Sequence, residues 1–204
     1  ERTKEFYSEM VPVVRRVLPA DRYFIMLSFM DSPHTRSMDW IAEQVLADPG
    51  NWSGVVHDPH LYHLYGDNHA PWSEEQDYCK ACCRDPHILR PMASIGVPTI
   101  VGEYSTATGF SGWHEGDFLA NNLQNYFSLW NTAASVVGSF MWNYRILVDP
   151  AQPQKYVEWS LLDMVDLGYI RPDFAYALDT SELCPAMRED VRRCPDFSNG
   201  TVLW

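Results

Sequence analysis

The fold is decided by the stretch Val97-Pro98-Thr99-Ile100-Val101-Gly102-Glu103-Tyr104-Ser105. Its β-branched, apolar middle is typical of a strand that is covered on both faces. The strand ends in a carboxylate, Glu103, and Gly102 gives the backbone room beside it. Reactive groups lie at the carboxyl ends of parallel strands, so this position suits a catalytic carboxylate. The alternative is that Glu103 simply begins a polar loop.

Strand patterns alternate with helical patterns on both sides of this stretch. The strands are predicted at 22–29, 54–60, 97–103 and 136–145. Helices are predicted over 2–18, 37–47, from Ser73 onward, and over 118–130 and 159–167. This alternation predicts βαβ units and a parallel sheet. The apolar side chains of the first helix are expected to face the core: Phe6, Met10, Val13 and Val17.

Two parallel architectures fit this order of elements. An open nucleotide-binding sheet carries a glycine-rich turn after an early strand, and the sequence has none. Polar and aromatic groups end several strands, which favours a closed barrel. The predicted fold class is therefore α/β, with residues 1–178 forming the C-terminal half, about four βα units, of a (β/α)8 barrel. Residues 179–204 are predicted to form an irregular tail that contains cysteines.

Composition excludes several classes of function. A net charge of -12 argues against a nucleic-acid partner. No apolar run reaches the roughly 20 residues of a membrane span. Five cysteines, with glycosylation sequons at Asn51 and Asn199, predict a secreted, extracellular or cell-wall protein.

Polar and aromatic side chains follow three neighbouring strands. His60 and Tyr62 follow one strand, Glu103 ends the next, and Trp142 lies at the end of the last. On a barrel these side chains would converge on one rim. Imidazole and phenol donors can keep a carboxylate ionised and oriented for attack on an anomeric carbon. An indole offers a flat wall to a sugar ring, although a Trp in a strand also suits the core.

Four segments resemble the exo-β-1,3-glucanase branch of glycoside hydrolase family 5. His60-Leu61-Tyr62-His63-Leu64-Tyr65 resembles its His-x-Tyr-x-x-Phe segment, and Gly102-Glu103-Tyr104-Ser105 resembles its Gly-Glu-Trp-Ser. Phe140-Met141-Trp142-Asn143-Tyr144-Arg145 is similar to its Phe-Trp-x-Trp-Lys region. Trp159-Ser160-Leu161 with Gly168 is similar to its Trp-Ser-Phe and downstream Gly. The resemblance extends from about residue 3 to residue 185.

The resemblance implies a retaining hydrolase of β-glucan or a related oligosaccharide, with Glu103 as the nucleophile and His60 and Tyr62 beside it. It implies a sugar subsite with these substrate-binding residues: Trp142, Tyr104, Tyr144 and Asn143. Tyr104, Tyr144 and Arg145 replace the family's Trp, Trp and Lys, which alters the subsite and puts the β-1,3 preference in doubt. We expect no cofactor and no metal, because no second Cys or His pair accompanies Cys79-x-x-Cys82-Cys83.

The family's acid/base Glu lies in an Asn-Glu-Pro motif that this sequence lacks. We expect that residue in a missing N-terminal half-barrel, supplied by the same chain or another. The alternative function is a catalytically inactive carbohydrate-binding or structural extracellular protein with a glycosidase-like fold. A third option is another family 5 specificity, such as β-1,4-glucan or mannan.

The resemblance also bears on the cysteines. It pairs Cys83 or Cys79 with Cys184, and Cys194 with another cysteine of the helix that carries Cys79, Cys82 and Cys83. Five is an odd number, so one thiol is expected to be free or bonded to another chain. The remaining histidines are expected to be solvated: His34, His57, His69, His87 and His114.

Overall fold

The computed structural model describes residues 2–29, 34–64, 73–114, 117–132, 135–147, 151, 156–170 and 194. The strands are β1 (Ile25–Phe29), β2 (Val55–Pro59), β3 (Thr99–Tyr104) and β4 (Val136–Met141). The helices are α1 (Arg2–Arg15), α2 (His34–Ala47), α3 (Pro49–Trp52), α4 (Glu74–Cys79), α5 (Asp85–Ser94), α6 (Phe118–Thr132) and α7 (Leu161–Asp166). A π-helical turn, Lys80–Arg84, joins α4 to α5, and a 3-10 turn, Val157–Trp159, precedes α7.

The four strands form one parallel sheet in the order β1-β2-β3-β4. The predicted α/β class and the parallel sheet are therefore confirmed. Each strand lies beside its predecessor in the chain, so every crossover moves in the same direction across the sheet. Because such crossovers are right-handed, they place the connecting helices on one face of the sheet. The carboxyl ends of the strands then lie along a single edge.

The core lies between the sheet and these helices. Alternate residues of the strands, including Leu27, Phe29 and Val101, belong to one buried apolar cluster with side chains of the helices. The helices contribute the following side chains to it: Val11, Met38, Ile41, Ile88, Leu89, Met92, Leu123, Tyr126 and Trp130. This shared cluster fixes the orientation of each strand, and so determines which side chains emerge at the carboxyl edge.

The predicted inward face of α1 is wrong. Its four apolar residues are exposed, with Phe6 at 57% and Val17, just beyond the helix, at 77%. The helix is instead turned so that Tyr7 and Val11 face β1. The Tyr7 ring lies 5.3 Å from the Phe29 ring, and its hydroxyl donates to the Ser28 carbonyl at 3.0 Å. This aromatic contact and hydrogen bond favour the observed rotation, which hydrophobic periodicity alone did not reveal.

Apolar side chains also remain exposed at both outer strands of the sheet. Phe24 precedes β1 and Met26 lies within it, while Val137 and Phe140 lie on β4, and all four are exposed. Within the described part of the chain, β1 pairs only with β2, and β4 pairs only with β3. The two lateral edges of the sheet are therefore open to further pairing there.

Gly102 of β3 makes room for a side chain of β2. A Cβ atom at Gly102 would lie 1.8 Å from Oδ1 of the buried Asp58, whereas one at Gly138 of β4 would meet nothing within 4 Å. We expect Gly102→Ala to lower the free energy of unfolding by about 1–3 kcal/mol, because Asp58 must leave its place. Urea denaturation measures this loss.

Gly138→Ala is the matched control for that substitution, since it adds the same methyl group to a neighbouring strand. We expect it to change the free energy of unfolding by less than about 0.5 kcal/mol. Equal losses in the two variants would contradict the close approach of Asp58 to Gly102.

Candidate functional site

The candidate site lies where β2 and β3 end. Beyond the last residue of β2, His60 forms a parallel bridge with Glu103, and the Leu61 amide donates to the Glu103 carbonyl at 2.9 Å. After His57 pairs with Thr99, the two strands meet again at this bridge, with one more residue between the two pairs in β3 than in β2. This backbone pairing sets the Glu103 and His60 side chains at the same level of the sheet.

The Tyr62 hydroxyl and the His60 ring lie beside the same oxygen of the Glu103 carboxylate. The Tyr62 hydroxyl donates to Oε2 at 2.7 Å, and Nδ1 of His60 lies 3.4 Å from the same oxygen. The Glu103 side chain is 28% exposed, so solvent or a ligand can reach it. The structure thus brings together the three predicted catalytic residues: Glu103, His60 and Tyr62.

His60 lies between two carboxylates. Its Nε2 atom is 3.7 Å from Oδ2 of Asp58 and 3.3 Å from Oγ of Ser28, while Nδ1 faces Glu103. Asp58 is the main cause that raises the pKa of His60 above its ordinary 6.5; partial burial opposes the rise, and Glu103 supports it. The imidazolium form of His60 is therefore favoured.

Asp58 and Ser28 are two neighbours of His60 that the sequence analysis missed. Asp58 is 7% exposed on β2, directly opposite Ser28 in the register with β1. A buried carboxylate is rarely tolerated without a cationic or hydrogen-bonding partner. An Asp within a strand that is buried along its whole length, two residues before His60, is the signal that could have identified it.

Trp142 lies at the end of the neighbouring strand β4. Its amide donates to the Tyr104 carbonyl at 2.7 Å, which anchors the backbone beside β3, and its side chain is 51% exposed. The Trp142–Asn143 peptide bond is cis, and the Asn143 amide donates to the Trp159 carbonyl at 2.8 Å. Tyr144 is also exposed, at 68%. Trp142 and Tyr144 are thus both exposed after β4, and Asn143 lies half-buried between them.

Tyr104 does not contribute to that surface. Its side chain is 2% exposed, and its ring makes edge contacts with Trp130 and Tyr126 of α6, at centroid distances of 4.8 and 6.0 Å. The predicted substrate-binding role of Tyr104 does not fit this placement, because the side chain points into the helix-covered core. The reason lies in β3, where the residue after Glu103 turns toward the helices.

Trp159 supports Tyr62 from the other side. The two ring centroids are 5.7 Å apart with an interplanar angle of 36°. The 3-10 turn that carries Trp159 is held over the end of β3, because both the amide and the hydroxyl of Thr106 donate to the Glu158 carbonyl. Sequence analysis identified Trp159 only as part of a family motif, and missed this contact.

Predictions about the other histidines meet different outcomes. His57 is fully buried in β2, so its predicted solvation is wrong. The reason is that it faces the helix layer, opposite Leu27 of β1. His114 is exposed and His87 is half-buried. The side chains of His34 and His69 lie outside the described residues.

The structure confirms a bond from Cys194 to this group of cysteines and one free thiol, but not the bond expected from Cys79 or Cys83 to Cys184. Cys79 is bonded to Cys194, Cys82 is also disulfide-bonded, and Cys83 is a free thiol whose pKa is raised by burial. This arrangement leaves neither Cys79 nor Cys83 for the predicted bond to Cys184, because α4 and the turn after it direct Cys79 toward Cys194. Cys184 itself lies outside the described residues.

The sequon at Asn51 lies in α3. Its side-chain nitrogen donates to Oδ2 of Asp48 at 2.7 Å, so a glycan at this nitrogen would replace one of its N–H bonds. The second sequon, at Asn199, lies outside the described residues, as does the proposed domain boundary at residue 178.

The described ranges contain neither a membrane-spanning helix nor a metal-binding cluster. None of the helices there has both the length and the apolar character needed to cross a bilayer. No group of three or more His, Cys, Asp or Glu side chains in those ranges could hold a metal ion.

Compared with protein-family models and with curated proteins, the chain matches none of them. Function is therefore argued from the geometry around Glu103 and from the motifs quoted above.

The raised pKa of His60 predicts a pH-dependent contribution to stability. The folded-state pKa lies above the unfolded value near 6.5, so the charged imidazole stabilises the fold fully below that pH. This contribution disappears as the pH rises through the folded-state pKa. We therefore expect the free-energy difference between wild type and His60→Gln to decrease from about pH 5.5 upward in urea titrations.

The effect of His60→Gln across pH, measured in two further variants, tests what raises the pKa of His60. In Ser28→Ala both carboxylates remain, so the pH trend should persist. In Asp58→Asn the main cause of the raised pKa is removed, and the trend should weaken. An unchanged trend in Asp58→Asn would contradict the role assigned to Asp58.

Proposed function

We propose that the chain carries the nucleophile half of a retaining glycoside hydrolase site that acts on β-glucan or a related oligosaccharide. The observation that supports this most directly is the 2.7 Å hydrogen bond from Tyr62 to Glu103, with His60 on the same oxygen. Donors of this kind hold a carboxylate ionised and oriented, as nucleophilic attack requires. The motif resemblance to glycoside hydrolase family 5 supports the same assignment.

In the proposed reaction, Oε1 of Glu103 attacks the anomeric carbon, since Oε2 accepts the Tyr62 hydrogen bond and faces His60. A bond forms between Oε1 and the anomeric carbon as the glycosidic C–O bond breaks, and the departing oxygen takes a proton from a second carboxylic acid. Water, deprotonated by that same group, then displaces Glu103. Two inversions at the anomeric carbon retain its configuration.

The second carboxylate is not supplied by Asp58. A retaining pair requires a separation of roughly 5–5.5 Å with the substrate between the two groups. Asp58 is buried beneath His60 and against Gly102, so a sugar cannot pass between it and Glu103. The proposal therefore takes the acid/base group from residues outside those described, or from another chain.

A closed barrel would place the second carboxylate, the acid/base group, near Glu103. The sequential strand order, the helices on one face and the open edges of β1 and β4 fit half of a (β/α)8 barrel. In a complete barrel the inward residues of non-adjacent strands face one another across the rim. The proposed fold is thus a half-barrel whose closure would complete the catalytic pair.

The exposed ring of Trp142 supports a carbohydrate substrate. An indole face covers the apolar C–H face of a pyranose, while its N–H remains a donor. The disulfide between Cys79 and Cys194 supports a secreted or cell-wall location, because such bonds persist in oxidising compartments.

One observation favours a second candidate, a carbohydrate-binding protein without catalysis. Trp142 and Tyr144 would still present aromatic faces to a sugar if no acid/base group accompanied Glu103. Binding without turnover distinguishes this candidate from the hydrolase.

Covalent labelling tests the nucleophile. A 2-deoxy-2-fluoro-β-glucoside with a good leaving group should glycosylate Glu103 in the natural polypeptide or assembly that contains this chain, as measured by peptide mass spectrometry. We expect no label in Glu103→Gln, and a labelling rate reduced roughly 10–100-fold in Tyr62→Phe, which lacks the orienting hydroxyl.

Glu158→Gln is the control for this experiment, because it removes a different half-buried carboxylate near the same turn. We expect it to keep the label on Glu103. Labelling of another residue in wild type, or an intact label in Glu103→Gln, would contradict the assignment; glucan binding with no label would favour the binding protein.

Trp142→Ala tests whether the exposed Trp142 ring binds a sugar. Loss of a stacked aromatic contact costs roughly 1–3 kcal/mol, so we expect the dissociation constant for laminari-oligosaccharides to rise about 5–150-fold in isothermal titration calorimetry. Leu147→Ala removes another exposed apolar side chain from the same segment and should leave binding unchanged. Equal binding by wild type and Trp142→Ala would exclude sugar binding by the Trp142 ring.

A further inference from the structure

A buried group of ionisable side chains lies directly behind Tyr62. Its members come from the segment after β2, from α4, from the π-helical turn and from the start of α5: His63, Asp77, Lys80, Arg84 and Asp85. None is more than 4% exposed. The reaction proposed for Glu103 uses none of them. We refer to these five residues as the ionic cluster.

Within the ionic cluster, each ring nitrogen of His63 faces a carboxylate. Nδ1 lies 2.6 Å from Asp77 and Nε2 lies 3.0 Å from Asp85. His63 therefore links the two carboxylates through its ring. Arg84 donates twice to the other oxygen of Asp85, at 3.0 and 2.9 Å. Burial opposes ionisation of Asp85, but Arg84 and His63 hold its pKa below the ordinary value.

Two cations of the ionic cluster reach out to the backbone beside Tyr62. Nζ of Lys80 donates to the His63 carbonyl at 2.8 Å, and Nη1 of Arg84 donates to the Tyr62 carbonyl at 3.3 Å. Both cations come from the π-helical turn. The chain that carries the Tyr62 phenol is therefore held at two consecutive carbonyls.

Stability alone is a weak reason for such an arrangement. Removing several charges from water carries a large desolvation cost, and well-packed apolar side chains of similar volume commonly stabilise a fold as much or more. Hydrogen bonds from buried charges are directional, however, and they fix the backbone atoms that they contact. The ionic cluster fixes the backbone at Tyr62 and His63, and the Tyr62 hydroxyl is the one that donates to Glu103.

We propose that Lys80 and Arg84 are positioning residues that hold the Tyr62 backbone so that its hydroxyl meets Oε2 of Glu103. The ionic cluster acts as their rigid base, because Asp85 fixes Arg84 and His63 links Asp85 to Asp77. The catalytic consequence rests on the proposed function, whereas the positioning itself is a property of the fold and can be measured without activity.

Lys80→Met tests the positioning, since it removes the donor and keeps an apolar side chain of similar length. Hydrogen exchange of the Leu61 amide reports on the position of this segment, because that amide donates to the Glu103 carbonyl. We expect its hydrogen-exchange rate to rise at least about tenfold, the effect of losing one charged hydrogen bond. The 19F resonance of 3-fluorotyrosine at position 62 should shift toward that of the Tyr62 site in Glu103→Gln.

Arg15→Met is the matched control. Arg15 is also a buried cation that donates to backbone carbonyls, those of Leu18 and Tyr23, but it lies at the end of α1. We expect it to lower overall stability and to leave both Leu61 exchange and the 19F resonance unchanged. Arg84→Met should act like Lys80→Met; if it does not fold, Lys80→Met decides alone.

Kinetics separate this proposal from the proposed function. In an active enzyme, Lys80→Met should lower kcat roughly 10–100-fold with little change in KM, because the defect is in orientation and not in binding. If wild type is not labelled at Glu103, the proposed function fails while the exchange and 19F data still decide the positioning. If Lys80→Met changes Leu61 exchange no more than Arg15→Met does, the positioning proposal is overturned.

Discussion

The candidate site depends on the register between β2 and β3. After His57 pairs with Thr99, the strands meet again at the bridge between His60 and Glu103, which sets an imidazole and a carboxylate side by side. That pairing leaves Asp58 pressed against β3, and only a residue without a Cβ can lie opposite it. Gly102 therefore has two effects. It permits the buried Asp58 that raises the pKa of His60, and it lets the strand deliver Glu103 at the same level.

Charge alternates along this edge of the sheet. Asp58, His60 and Glu103 form a sequence of negative, positive and negative groups, in which the two contacts are 3.7 and 3.4 Å. Burial weakens solvent screening, so contacts between opposite charges here are stronger than they would be in water. Deeper in the protein, the ionic cluster behind Tyr62 likewise places an imidazole, that of His63, between two carboxylates. The Glu103 carboxylate is thus oriented by neighbours that are themselves fixed by further contacts.

The strand and its terminal carboxylate could be predicted from sequence because a buried parallel strand has a direct pattern. The rotation of α1 about its axis could not be predicted, because apolar side chains lie on two faces of that helix. Only the contacts of Tyr7 with β1 show which face is buried. Tyr104 was misplaced for a related reason: a family motif gives residue types, whereas the facing direction depends on pairing with β4. The ionic cluster could not be predicted from sequence, because its members lie up to 22 residues apart and come together only when α4 and α5 pack behind Tyr62.

Curvature of the sheet decides between the two candidate functions. A carboxylate on a further strand paired to β1 would lie three strand spacings from Glu103, about 14 Å along a flat sheet. A retaining pair needs roughly 5–5.5 Å, so a flat extension cannot supply it. A sheet that curls into a barrel turns inward-facing side chains of non-adjacent strands toward one another and removes that gap. The hydrolase proposal therefore requires closure, which would also cover Met26 and Phe140, whereas a sugar-binding surface around Trp142 requires only β3 and β4.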